Sequence, residues 1–133
     1  MAHLHFKGNC REAFEAYAAL FGGKIVFAMT YGETPEAAQF SADARGRIAH
    51  ARVDLGDQFL LGCDPPAERY QAPQGFNVMA DIAPSKEAER VFNALADGGT
   101  ILMPFQQTFW AYRFGMCNDR FGIPWMVNCE KAP

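Results

Sequence analysis

Apolar residues at Cys10, Ala13, Phe14, Tyr17, Ala18 and Phe21 recur at the spacing of one helical face, with charged residues between them. Asn9 stands where an N-cap is expected, and Glu12 at the reciprocal position of a capping box. Gly22-Gly23 supplies a left-handed stop, and the strand-like run KIVFAMTY follows. A second helix repeats the design. Ser85 is its expected N-cap, Ala88, Val91, Phe92 and Leu95 form its stripe, Gly98-Gly99 ends it, and TILMPF follows. Short strand-like runs, AHLHF and FNVMADI, precede the two helices.

Two more strand-like runs close each half. RIAHARVDL and QFLLGC are joined by a tight Gly56-Asp57 turn. WAYRFGMCN and IPWMVNC are joined around Asp119-Arg120-Phe121-Gly122. Each half therefore reads strand, helix, strand, strand, strand, and this internal repetition defines the architecture. The expected fold is α+β. Two βαβββ modules form a curved eight-stranded mixed sheet around a cavity, with the helices on the convex face. The modules span about residues 1–64 and 75–133, joined by a Pro/Gln/Gly-rich linker over 65–74. Residues 32–46 read as a long polar loop of the kind that serves as a lid or binding loop.

Composition adds exclusions. Of 133 residues, 50% are hydrophobic, and twelve are Phe, enough for a dense core or an aromatic-lined cavity. The net charge of −3, with no Lys/Arg run, argues against nucleic acid as a partner. No apolar run approaches the roughly 18–20 residues that span a bilayer. The start, MAHLHFKGNC, lacks the apolar core of a signal peptide, so a cytoplasmic protein is expected. Cys10, Cys63, Cys117 and Cys129 form no CxxC pair. Reduced thiols follow, with Cys63 and Cys117 reading as buried strand residues.

The runs HLHFKGNCREAFEAYAALFGGKI, IAHARVDLGDQFLLGCD and TFWAYRFGMCNDRFGIPWMVN resemble the PhnB-like proteins. These form a branch of the vicinal-oxygen-chelate superfamily of glyoxalases, bleomycin-resistance proteins and extradiol dioxygenases. The resemblance covers nearly the whole chain. It implies a divalent metal held by His and Glu from the first and last strand of each module, polarising a substrate with two adjacent oxygens. This sequence departs from that set. The last-strand position, four residues after Gly122, is Met126, and a thioether suits a hard divalent cation poorly. Its first-half counterpart offers Gly62 or Cys63, and the first strand of the second half offers Phe76 or Asn77. Some PhnB-like sequences carry a ubiquinone-pathway methyltransferase label. That role would call for a glycine-rich loop in a doubly wound pattern, which is absent.

His3 and His5 lie two apart on a strand and share a face, opposite Ala2, Leu4 and Phe6. They are candidate ligand contacts or chelators, against the reading of two polar residues on a wet sheet face. His50 is either a cup residue, as general base or third donor, or a hydrogen-bonded core histidine. By alternation it shares a face with Ile48, Arg52 and Asp54. Asp64 is either a cup residue or a turn former before Pro65-Pro66, and the turn role is favoured. Trp110, Tyr112 and Phe114 share a parity in one strand, beside Phe109, and form either a stacking wall for a flat ligand or ordinary core.

The expectation is a homodimeric protein with a small-molecule-binding cup built around His3, His5, His50, Trp110, Tyr112 and Phe114. No cofactor is expected, and no stoichiometric tightly bound Zn²⁺, Ni²⁺ or Fe²⁺. His3, His5 and His50 are the residual metal candidates. The alternative is a metal-dependent lyase or isomerase acting on a small oxygenated substrate through a rearranged histidine site.

Overall fold

The structure is a computed structural model and describes residues 1–133. The elements follow in the order β1 (Ala2–His5), α1 (Cys10–Phe21), β2 (Lys24–Thr30), α2 (Ala42–Arg45), β3 (Ile48–Asp54), β4 (Phe59–Cys63), β5 (Val78–Asp81), α3 (Ser85–Ala96), β6 (Thr100–Gln106), β7 (Arg113–Asn118) and β8 (Pro124–Cys129). The fold is α+β, and its eight strands fall into two mixed four-stranded sheets, ordered β1-β4-β3-β2 and β5-β8-β7-β6. Each sheet has one parallel pair, β1 with β4 and β5 with β8, and antiparallel pairs elsewhere. The chain divides into two compact units, Met1–Ala72 and Pro73–Pro133. No helix is long and apolar enough to cross a membrane.

In the first unit the α1 stripe packs on one face of its sheet. Cys10, Ala13, Phe14 and Tyr17 are buried against Leu4, Phe6, Ala51, Val53 and Leu60. Burying side chains of the size of Phe6 and Phe14 contributes about 1.5–3 kcal/mol each. Gly62 lies under α1, where a Cβ would meet Phe14 Cζ at 2.6 Å. In the second unit Ala88, Val91, Phe92 and Leu95 of α3 do the same work, and Gly115 sits under Phe92.

The helix starts differ from the capping expected. Asn9 makes no side-chain cap bond. The donors at the start of α1 are taken by Asp64, which is 1% exposed. Its Oδ1 accepts from the Gly8 and Cys10 amides at 3.0 Å each, and its Oδ2 from the Ile48 amide at 2.9 Å. Asp64 is thus no simple turn former but a buried clamp between the α1 start and the β3 start. Ser85 is the first residue of α3 rather than its cap. Pro84 precedes it, and the Pro84 carbonyl accepts from the Glu87 and Ala88 amides. The Asp119 turn follows the same logic as Asp64. Its carboxyl accepts from the Phe121 and Ile123 amides and from Trp125 Nε1.

Residues 32–46 are not an irregular loop. Short helical turns at Tyr31–Glu33 and Ala37–Gln39 lead into α2. They are held by a Thr30–Glu33 capping box, a Ser41 cap on Ala44, and Arg45 Nε donating to the Ala37 carbonyl.

The paired glycines have a divided role. Gly22 ends α1 at φ 72°, in the left-handed region. Gly23 then passes so close to β3 that a Cβ would lie 1.9 Å from the Asp54 carbonyl oxygen. Gly99 repeats this against the Asn118 carbonyl at 2.1 Å. Gly23→Ala and Gly99→Ala should each lower stability by about 1–3 kcal/mol through forced backbone movement. Gly46→Ala, with only Asp43 O at 3.9 Å, should stay within about 0.5 kcal/mol of the parent. Urea midpoints test this, and equal midpoints for all three would contradict the close-approach account.

Candidate functional site

With α1 on one face of the first sheet, the other face is free of helix, and alternation sets what it displays. The register pairs His5 with Cys63 and His3 with Leu61 across β1 and β4. It continues through Arg52 opposite Leu61 and pairs Met29 with His50 and Phe27 with Arg52. His3, His5 and His50 are all exposed. His50 is therefore not a core histidine. It also does not share its environment with Ile48, which is buried, because a register shift between Met29 and Thr30 ends the simple alternation there.

The three imidazoles sit together. The rings of His3 and His5 are 5.3 Å apart edge to face. His50 stacks near-parallel to His3 at 6.2 Å and lies 5.7 Å from Phe27. Burial, then the neighbouring His5 and His50, hold the His3 pKa below its ordinary value. Arg52 is committed elsewhere, donating to Asp54 at 2.9 Å and lying over the Phe59 ring.

Cys63 corrects the sequence-based view of it as a buried hydrophobe. Cys117 is buried, but Cys63 is only partly so, and its thiol lies beside the exposed His3 and His5. The His3, His5 and Cys63 ligand atoms all lie within 4.8 Å of one another. Burial, then Asp64, raises the Cys63 pKa. Tyr31 borders this cluster. Its hydroxyl donates to the Asp64 carbonyl at 2.7 Å. Its pKa is raised by burial, then by Cys63 and Asp64. Tyr31 also lines a shallow cavity of about 440 Å³ with Phe40, Ser41, Arg47 and Pro66.

In the second unit the expected aromatic strand is shorter than its sequence suggests. β7 begins at Arg113, so Trp110 and Tyr112 lie before it, Trp110 in a turn closed by Thr108 and Ala111 and Tyr112 just after that turn, its amide donating to the Glu130 carbonyl. Trp110 is 48% exposed and packs edge to face on the buried Phe114 at 5.2 Å. Tyr112 lies under the Arg113 guanidinium instead. Phe109, 98% exposed, stands against Trp110. Sequence reasoning missed a second feature. Met79, Met126, Met116 and Met103 pair in succession across β5, β8, β7 and β6, one row of thioethers on the face opposite Gly115 and α3. Their individual parities were readable, but the row exists only once the strands are ordered.

Two βαβββ units with helices on one face of each sheet define the fold of the glyoxalase, bleomycin-resistance and dioxygenase superfamily. A member from Burkholderia phytofirmans shares that fold at a TM-score of 0.65, with 13% identity over 98% of this chain and 96% of that one. The chain belongs to the PhnB-like family described as 3-demethylubiquinone-9 3-methyltransferase, whose match covers residues 1–128. Protein PA1353 of Pseudomonas aeruginosa is 41% identical over 99% of this chain and 96% of its own, with a TM-score of 0.89. Protein YjdN of Escherichia coli is 34% identical, covering 97% of this chain and 93% of YjdN. The PhnB protein of Bacillus cereus is 26% identical over 97% of both chains, with a TM-score of 0.83.

The thiol assignments are directly testable. Cys63 should be the one thiol that reacts in the native protein, with Cys10, Cys117 and Cys129 reacting only on unfolding. Because the thiolate is the reactive form and the Cys63 pKa is raised, its rate should be slow at neutral pH and climb as pH rises past the ordinary thiol value. Counting modified thiols with an aromatic disulfide reagent, then peptide mapping, reads this out. Labelling of Cys117 before Cys63 would contradict the placement.

Proposed function

We propose that the protein binds a small, oxygen-bearing organic molecule on the helix-free face of its first sheet. The observation that carries this is the grouping of His3, His5 and His50 in exposed positions there. Burying His3 in part, and then setting it beside His5 and His50, has a cost. The folded-state pKa of His3 is lowered, so its contribution falls as pH drops through the unfolded-state value towards the folded one, and the protein loses stability on acidification. Exposed titratable side chains grouped on one face, one of them with a shifted pKa, mark a candidate site. Neutral imidazoles both donate to and accept from hydroxyl, carbonyl and carboxylate oxygens. Phe27, 44% exposed beside His50, offers a flat apolar contact.

The methionine row and the Trp110–Phe114 pair support small-molecule binding by the second unit as well. Thioethers adapt to irregular apolar shapes, and Trp110 presents a stacking surface. The sheets do not offer the setting that a methyltransferase's nucleotide-type cofactor ordinarily takes. Cofactors of nucleotide type ordinarily sit at the switch point of an open parallel sheet, and both sheets here are mixed.

The test is calorimetric titration of tag-free protein, held in chelator, with small hydroxy acids, diols and catechols and with any molecule found to co-purify. His50→Ala and Phe27→Ala should each weaken the bound compound by about tenfold, about 1.4 kcal/mol. Both side chains are exposed, so melting temperatures should barely change. Binding that is unaltered in the double variant would overturn the assignment of this face.

A further inference from the structure

We propose that His3, His5 and Cys63 form a site for a borderline-soft divalent cation of the Zn²⁺ type. This departs from the sequence-based expectation of no stoichiometric Zn²⁺, because Cys63 joins His3 and His5, and the donor set differs from the one that the family resemblance implies. It lies wholly within one module, it includes a thiol, and no carboxylate belongs to it. The inference deepens the binding face described above and rests on that reading only for what would occupy the last coordination position.

Three observations carry it. The first is convergence. Two imidazole nitrogens and one sulfur lie within 4.8 Å of one another. Zinc holds imidazole nitrogen at about 2.0–2.1 Å and thiolate sulfur at about 2.3 Å, so tetrahedral ligands stand roughly 3.3–3.7 Å apart. Closing the difference takes about an ångström, within the reach of χ rotation in exposed imidazoles.

The second is scaffolding. His3 and His5 alternate onto one face of β1, and parallel pairing sets Cys63 directly beside His5. The backbone at Cys63 is fixed from both sides. Its carbonyl accepts from the Phe6 amide at 3.0 Å, and the next amide, of Asp64, donates to the Ile48 carbonyl at 2.8 Å. Ligands on tied strands hold a geometry that ligands on loops do not.

The third is donor chemistry. Imidazole and thiolate select zinc and its late first-row neighbours over Mg²⁺ and Ca²⁺, which take oxygen. Three protein ligands leave one position of a tetrahedron open, the pattern of a site that takes a water or a ligand oxygen. On binding, the Cys63 thiol gives its proton to solvent and the metal takes the sulfur lone pair. His50 stacks near His3 at 6.2 Å, beside the site.

The experiment uses tag-free full-length protein stripped with chelator, exchanged into chelator-free buffer and titrated with Zn²⁺ alone. One ion per chain should bind. Co²⁺ in its place should give a sulfur-to-metal charge-transfer band in the near ultraviolet. Cys63→Ser should abolish that band. His3→Ala and His5→Ala should each weaken Zn²⁺ by more than the roughly 10–100-fold that loss of an outer hydrogen-bond partner costs. These side chains are exposed or half-buried, so circular dichroism of each variant should match the parent. The proposal is overturned if no stoichiometric ion binds. It is overturned equally if binding persists in Cys63→Ser with the cobalt spectrum unchanged, which would mark adventitious surface histidines. Failure here with retained binding of an organic ligand in chelator would leave the reading of the face intact and remove only the metal.

Discussion

The two carboxyl oxygens of Asp64 accept three backbone N–H groups inside the first unit, from Gly8, Cys10 and Ile48. Each bond between an amide and a charged group contributes about 1.5–3 kcal/mol net, and each orphaned amide would cost a comparable amount. The same residue donates its amide to the Ile48 carbonyl and accepts the Tyr31 hydroxyl on its own carbonyl. The Asp64 side chain, directly after β4, therefore ties down the turn after β1, the first turn of α1 and the start of β3, and its backbone carbonyl holds Tyr31, the residue after β2. With α1 anchored at that point, its stripe can lie across Gly62, and the opposite face of the sheet is left for His3, His5, His50 and Cys63.

That dependence explains what the sequence disclosed. The helix stripes, the Gly-Gly stops and the repeated strand-helix-strand order are local, and each follows from spacing over a few residues. The partners of Asp64 lie 56, 54 and 16 residues away in sequence, so its side chain reads locally as a turn former before two prolines. The same non-local clamp displaces Asn9 from its expected capping role. Sharing of a face by His3 and His5 was legible from alternation alone. The partnership of His5 with Cys63 was not, because it depends on parallel pairing of β1 with β4, the first strand of the module with its last. The aromatic run from Phe109 misled for another reason. Its β propensity is high, yet Thr108 and Ala111 close a turn that delays the strand to Arg113.

The two units use one architecture for different surfaces. In the first, the helix-free face carries imidazoles, a thiol and an exposed Phe27. In the second, the equivalent rows carry four thioethers, with Phe114 and Trp110 near them. Their buried anchors also differ. Asp119 sits after β7 rather than after the last strand, and it pins the β7–β8 turn and the Trp125 indole rather than a helix start. Repetition of the fold has thus been kept while the chemistry on each face has diverged. A shared fold leaves function to be read from each face separately.

Amide hydrogen exchange in Asp64→Asn tests the Asp64 clamp most directly. Asn is nearly isosteric but replaces one acceptor oxygen with a donor that faces a backbone N–H. Protection at Gly8, Cys10 and Ile48 should fall together, while Phe121 and Ile123, held by Asp119, keep the exchange rates of the parent. Unchanged protection at all three amides, or loss at Ile48 alone, would contradict the claim that a single buried carboxylate organises the first unit and its open face.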